Sequence, residues 1–232
     1  MTTAEETAQL AASLIGKEHR VLDKGYVTLL DFLGSDQRIV EAARVSTGSK
    51  GDPERDRNLI FFLMENGHGT PFEHAVFQFL IKCPIFVARQ WFRHRIASYN
   101  ERSARYRVFQ EEFYVPSLSD LPPIFNEADL EEYQDVLKRE HEFYERMVEK
   151  AKPFKEHRQR TREVFRGLLG TAYYTEFYWT INFRSLMNFL NLRTGAGAQP
   201  EIQHYAQVIG EMAKSLLPLA YEAFEKYTLK RS

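Results

Sequence analysis

The chain has one cysteine, Cys83, so no internal disulfide can form and no oxidising compartment is implied. No segment approaches the roughly 20 consecutive apolar residues of a membrane span. The first eighteen residues place Glu5 and Glu6 before a short apolar patch at Leu10 and Leu14, which lacks the basic start and long apolar run of a signal peptide. A soluble, cytoplasmic protein with no membrane partner is expected. The net charge is −1, which gives no long-range pull on polyanions and disfavours a nucleic-acid partner. Neither G-x-G-x-x-G nor G-x-x-x-x-G-K-[ST] occurs, which argues against Rossmann and P-loop sites. The seven histidines form no H-E-x-x-H and have no cysteine partners at zinc spacing, so no metal is expected. Cys83 reads as a packed residue rather than a nucleophile.

What is present is ordinary globular material: 232 residues, 44% hydrophobic and 27% charged, undivided by any Pro/Gly/Ser-rich stretch or internal repeat. One domain covering residues 19–232 is expected, with residues 1–18 as an N-terminal extension.

The pattern predicts a short amphipathic helix over 4–15, a strand from Tyr26 to Phe32 and a helix from Gln37 to Val45. Asp52, Pro53 and Gly67 mark the cap, first turn and exit of another helix. Ala75 to Cys83 alternates as a strand, with Phe77, Phe79, Ile81 and Cys83 on one side. A short helix follows from Pro84 to Phe92, then an irregular polar segment, then a strand from Glu112 to Val115. Asn126 caps a helix reaching Ala151, with Leu130, Tyr133, Leu137, Tyr144 and Met147 on one face. At about 39 Å it is longer than one small core needs, a hint of subunit packing. Lys155 to Leu169 reads as a basic helix, and Ala172 to Phe183 as a strand with a buried helix as the alternative. Helices from Ser185 to Leu192 and from Pro200 to Tyr227, the latter kinked near Pro218, complete the chain. Long helices with a few strands and no βαβ alternation define an α+β protein: helices packed on a small mixed or antiparallel sheet.

Residues 89–107 concentrate six arginines and one glutamate, and contain no lysine. Bulk attraction would be served equally by lysine; the planar, forked guanidinium instead fixes a phosphate or carboxylate in a defined orientation. Ser98, Tyr99, Asn100 and Ser103 add neutral hydrogen-bonding groups. Large apolar residues flank the segment, in PIFVARQWF and VFQEEFYV, which sets the charges at the edge of a core. Two alternatives compete with a small-molecule phosphate site. One is single-stranded nucleic acid stacked on Tyr99, Tyr106 and Trp91. The other is a set of ion pairs inside a helical assembly.

The run RHRIASYNERSARY, Arg93 to Tyr106, resembles the R-H-R-x-x-S-x-N-E-x-S-x-R-Y pattern of the flavin-dependent thymidylate synthases. AARVS (Ala42 to Ser46), GHGTPFEH (Gly67 to His74), FVARQWFRHR (Phe86 to Arg95) and RSLMNFLNLR (Arg184 to Arg193) are similar to other blocks of that family, in the same order. The resemblance implies synthesis of dTMP from dUMP, with methylenetetrahydrofolate as carbon donor and FAD, reduced by NADPH, as hydride carrier. It also implies a homotetramer with active sites at subunit interfaces. Thr70, Arg93, His94, Arg95, Glu101, Asn182, Phe183, Arg184 and Asn188 would hold FAD, with His68 near the flavin and folate. Gln90, Trp91, Phe92, Arg93, Glu101, Arg102, Ser103, Ala104, Arg105, Arg166 and Arg193 would hold dUMP, with Arg193 stabilising charge on the uracil.

Each role has a plainer counterpart. Ser103 as a nucleophile would need a base that its arginine neighbours cannot provide, so a phosphate-contacting hydroxyl is the better reading. His94 could be a buried, hydrogen-bonded histidine, and Arg166 part of a solvated helix face with Arg158 and Arg162. Arg193 could simply complement a helix dipole. One departure is visible: after the matching arginine the family often has R-A-D-x-H-A-Q, where this chain has Arg193-Thr194-Gly195-Ala196-Gly197-Ala198-Gln199. Two glycines predict a more mobile loop there.

Overall fold

The computed structural model describes residues 3–45, 48, 51–103 and 111–229. Its frame is a five-stranded antiparallel sheet in the order β1 (Glu18–Val21), β2 (Gly25–Leu33), β3 (Val76–Pro84), β5 (Tyr174–Asn182) and β4 (Ser98–Glu101). The alternation along β3 has the expected consequence. Phe77, Phe79, Ile81 and Cys83 are fully buried and register opposite Ile181, Trp179, Phe177 and Thr175 of β5. The opposite face stays half-solvated, with Gln78 donating to Thr180 Oγ1 across the strands at 3.2 Å. A sheet covered on one side only is the antiparallel solution to period-2 patterning.

Helices cover the apolar face. They are α1 (Ala4–Leu14), α2 (Asp36–Arg44), α3 (Pro53–Glu65), α4 (Ile85–Trp91), α7 (Phe183–Arg193), α8 (Pro200–Leu216) and α9 (Pro218–Tyr227). Residues from all of them join one core cluster. Helix α1 is docked rather than free, with Thr7 and Ala11 buried and contacts to α8 and α2. Asp36, fully buried, accepts from the backbone N–H groups of Leu219 and Ala220 at 3.1 and 3.0 Å. It thereby supplies α9 with the N-terminal acceptor that Leu217 cannot.

α5 (Glu127–Ala151) and α6 (Arg158–Phe165) stand outside this core. A smaller cluster of Phe113, Leu137, Ala172 and Tyr173 ties α5 to the sheet. Leu137 and Tyr144 of the expected stripe are buried, but Tyr133 is exposed, and its place on the buried face is taken by His141 and Ala151. Tyr133, Val136 and Phe143 are more than a third exposed, so α5 carries apolar surface that the described residues do not cover.

Several local readings need correction. β1 and β4 were not foreseen: EHRV and SYNE are four-residue edge strands whose polar side chains carry no alternation signal. The strand expected at Glu112–Val115 is a single bridge, Phe113 to Tyr173, flanked by Tyr114 N–H to Ala172 O and Tyr174 N–H to Glu112 O. The basic segment 155–169 breaks into a 3-10 turn, α6 and a second 3-10 turn, with no residue of α6 buried to stabilise a longer helix. The kink near Pro218 is a full break, with Leu217 at φ −129°, ψ 60° between α8 and α9.

Candidate active site

Three features gather about half of the residues that the arginine segment and its companion blocks pointed to. The first is a groove of about 220 Å³ lined by the end of α3, the following loop, α7 and Thr228. Its floor owes its shape to a helix exit. Gly67, at φ +68°, donates to Met64 O, and His68 N–H donates to Leu63 O, which closes α3 with a Schellman motif. That turn delivers His68 and Gly69 to the groove, facing Arg184, Asn188 and Asn191 of α7. These three α7 positions fall four and three apart, on one helix face. Arg184 donates to Glu73 Oε1 at 2.5 Å, and its guanidinium lies where a side chain on residue 69 would sit: an added Cβ would come within 2.6 Å of Nε.

The second feature is a groove of about 360 Å³ at the β4 edge of the sheet, lined by Leu80, Asn100, Glu101, Arg102, Ser103, Glu176, Phe177 and Tyr178. Edge strand β4 holds Glu101 here, and Thr175 donates to Glu101 Oε1 at 2.7 Å. Arg102 is fixed by its backbone, its N–H donating to Glu176 O at 2.8 Å, and its side chain is exposed.

The third lies where α4 ends against the C-terminus of α7. Arg193 Nε donates to His94 Nε2 at 3.0 Å, and Arg193 Nη2 donates to Gln90 O at 3.2 Å. The Tyr99 hydroxyl reaches the carbonyls of His94 and Trp91 at 2.8 and 3.3 Å, pinning the turn between α4 and β4. Phe189 packs edge-on to the His94 ring, with centroids 4.9 Å apart. Burial, then the neighbouring Arg193 cation, push His94 down to about 4, and burial lowers Arg193.

This shift predicts a pH dependence. The folded state keeps His94 neutral down to about pH 4, whereas an ordinary imidazole titrates near 6.5. Between those values the unfolded chain binds the extra proton, so His94 removes stability as pH falls from 6.5 to 4, by up to about 3 kcal/mol. Urea melts at pH 7 and pH 4.5 check this: the wild type is expected to lose more stability than His94→Gln, and equal losses contradict it.

The other expected residues are placed as follows. Arg89, Arg93 and Arg95 are exposed, and with Arg102 they make no side-chain ion pair or hydrogen bond among the described residues. Thr70 starts a 3-10 turn beside the first groove. Asn182 caps α7, its side chain accepting from Ser185 N–H at 2.9 Å. Phe183 and Trp91 are fully buried, so the Trp91 indole offers no face to a stacking base. Phe92 packs on Tyr99 and Phe177. Arg166 sits half-buried in the 3-10 turn after α6. Ala104, Arg105 and Tyr106 lie outside the described residues. Sequence reasoning missed Gly69 and Asn191 in the first groove, and Glu73 as the partner of Arg184, although Gly69 and Glu73 stand inside the GHGTPFEH block. It also missed the loop's restraint: Gln203 donates to the carbonyls of Gly195 and Ala198 at 2.9 and 2.8 Å, tying down the turn that contains both glycines.

A further groove of about 640 Å³, between α5 and α6, holds none of these residues. Lys152 there is paired to Glu149 and Arg158 donates to Lys152 O, whereas Arg162 Nε is buried without a hydrogen-bond partner among the described residues.

Comparison with known proteins identifies the family. Residues 28–219 match the family model described as thymidylate synthase complementing protein. The flavin-dependent thymidylate synthase of Thermotoga neapolitana is 49% identical over 213 residues, covering 90% of this chain and 95% of that one. The protein of the same name from Ehrlichia ruminantium is 42% identical over 233 residues, covering 94% of this chain and 76% of that one. A crystal structure of the UMP/dUMP methylase PolB from Streptomyces cacaoi, bound with 5-Br dUMP, superposes with a TM-score of 0.77 at 31% identity, covering 92% of this chain and all of that one. The family match and the shared fold together place the chain in the thymidylate synthase complementing class. The chain belongs to the flavin-dependent thymidylate synthase family.

Proposed function

We propose that this enzyme methylates dUMP at C5 to give dTMP, taking the carbon from methylenetetrahydrofolate and the hydride from FAD that NADPH has reduced. The observation that carries the proposal is a set of four exposed arginines, Arg89 on α4, Arg93 and Arg95 in the turn after it and Arg102 just past β4, which make no side-chain ion pair or hydrogen bond among the described residues. Six clustered arginines with one local acid are a costly surface unless anions neutralise them, and dUMP and FAD bring a phosphate and a diphosphate.

The residues fit a flavin dinucleotide. The first groove offers Arg184 as an oriented cation, with Asn188 and Asn191 as amide donors and His68 at its mouth. At about 220 Å³ it is smaller than the roughly 300–1,000 Å³ of a complete small-molecule site. Arg193 lies nine residues after Arg184, on the opposite side of α7, so residues expected to hold FAD and dUMP open in different directions from one helix. Both facts support active sites completed by other copies of the chain, in a homotetramer to which the exposed apolar surface of α5 would contribute.

Bound FAD supplies hydride chemistry; the protein supplies orientation and electrostatics. Arg93, Arg95, Arg102 and Arg166 fix phosphate oxygens, and the Ser103 hydroxyl adds a neutral donor. Negative charge on the uracil's N3–carbonyl edge makes C5 nucleophilic toward the methylene carbon, and Arg193 would stabilise that charge.

Gly69 gives a direct test of the first groove. Gly69→Ala is expected to displace the Arg184 guanidinium and weaken FAD binding at least tenfold with little change in stability, because residue 69 has φ −75° and tolerates a side chain by backbone alone. Flavin titration by fluorescence quenching checks it; unchanged FAD affinity removes Arg184 from the flavin site. For the function itself, purified protein is expected to be yellow, or to become so with FAD, and to oxidise NADPH. Expression is expected to rescue a thymidine-requiring strain. Soluble protein that neither binds FAD nor rescues growth contradicts the proposal.

A further inference from the structure

We infer that His94 is a positioning residue: as a neutral acceptor it clamps Arg193 by one edge of the guanidinium and leaves the other edge, with its charge uncompensated, for the substrate. The inference rests on Arg193 facing the pyrimidine, and goes beyond it by saying what aims the side chain.

The geometry is specific. An arginine Nε–H can only donate, so at 3.0 Å His94 Nε2 must accept, and the imidazole is neutral with its proton on Nδ1. Nη2 uses a second hydrogen on Gln90 O at 3.2 Å. The Nε–Nη2 edge is thus committed to two acceptors that carry no charge. The Nη1–Nη2 edge remains, a fork of two parallel N–H groups matched to a pair of adjacent acceptors such as a uracil carbonyl and its ring nitrogen. Among the described residues Arg193 makes no ion pair. A carboxylate in place of His94 would hold the side chain equally well but would neutralise the charge before a ligand arrived. A neutral ring orients without quenching.

The clamp is itself braced. Tyr99 fixes the backbone of His94 from β4, Phe189 sets the ring plane from α7, and Gln90 is tied to Gln199 after the glycine-containing loop. Of the groups packed on His94, Arg193 is the charged one and Tyr99 the titratable one, its hydroxyl raised to about 12 by burial. Protonation of His94 would remove the acceptor and set two cations against each other, so the clamp operates only with the ring neutral.

The test uses the FAD-loaded protein with 5-bromo-dUMP as probe, and a readout independent of turnover. In ¹⁵N-histidine-labelled protein, His94 is expected to show the Nδ1–H tautomer and to stay neutral at pH 6. His94→Ala is expected to weaken 5-bromo-dUMP binding about tenfold and to lower kcat more than it raises KM, with FAD content unchanged. His94→Gln, which restores a neutral acceptor, is expected to recover most of the loss, and His94→Lys none of it. An Nε2–H tautomer or a charged ring overturns the inference, as does His94→Ala losing FAD while keeping 5-bromo-dUMP affinity, which would make the residue a flavin contact. If Arg193→Ala itself leaves 5-bromo-dUMP binding and turnover unchanged, the underlying site reading fails and the inference with it. If Arg193→Ala weakens them and His94→Ala does not, the inference alone fails.

Discussion

Arg193→Ala is expected to lower dTMP formation by a factor of about 10²–10³ while leaving the fold and FAD content intact; the loss corresponds to about 3–4 kcal/mol of transition-state stabilisation by one well-placed donor. The size follows from the surroundings. Arg193 is half-buried at the C-terminus of α7, where the helix carbonyls favour a cation, and its held edge faces two neutral acceptors. A charge kept out of bulk water and not neutralised by a carboxylate acts strongly on whatever develops negative charge nearby. Arg193→Lys keeps the charge but not the fork, and is expected to recover only part of the rate. Single-turnover dTMP formation, with flavin absorbance recorded on the same samples, separates the outcomes. An alanine variant with unimpaired product yield excludes Arg193 from the chemistry.

Trp91→Ala is expected to cost about 3–5 kcal/mol of stability, the range for emptying a large buried aromatic position. The indole is fully buried, with ring centroids of Trp179, Phe177, Phe189 and Tyr205 between 5.0 and 5.6 Å away. It closes α4 directly before the Arg93-His94-Arg95 turn. The cavity would therefore open beneath the carbonyls of Gln90 and Trp91 that Arg193 and Tyr99 use. For a domain of this size the loss corresponds to a Tm lower by roughly 10 °C. Trp91→Phe retains part of the ring packing and is expected to lose less than half as much. Calorimetry checks both; a Trp91→Ala protein as stable as the wild type would mean that the indole does not carry the core under the site.

Those two residues also show what the sequence made legible. The place of Arg193 at the end of α7 was legible because the helix is strongly patterned, while its expected role came from the family blocks around it. The single-sided alternation of Phe77, Phe79, Ile81 and Cys83 gave β3, and Asp52, Pro53 and Gly67 bounded α3, because caps and period-2 burial are written in neighbouring residues. Trp91 was harder. As a large aromatic inside an arginine segment it suggested a ligand platform, but the fold turns it inward and leaves the arginines outside. Edge strands β1 and β4 were invisible for a related reason: an edge strand with one solvated face carries polar residues and takes its structure from its partner. The link between His94 and Arg193, 99 positions apart, depends on the packing of α4 against α7, and no spacing along the chain encodes it.

The most direct test of the account is one reaction mixture. Purified protein loaded with FAD, given NADPH, methylenetetrahydrofolate and dUMP, is expected to produce dTMP, detected by mass spectrometry, with production abolished when any one of the four is omitted. Full flavin occupancy with no dTMP formed, or dTMP formed without flavin, would contradict it.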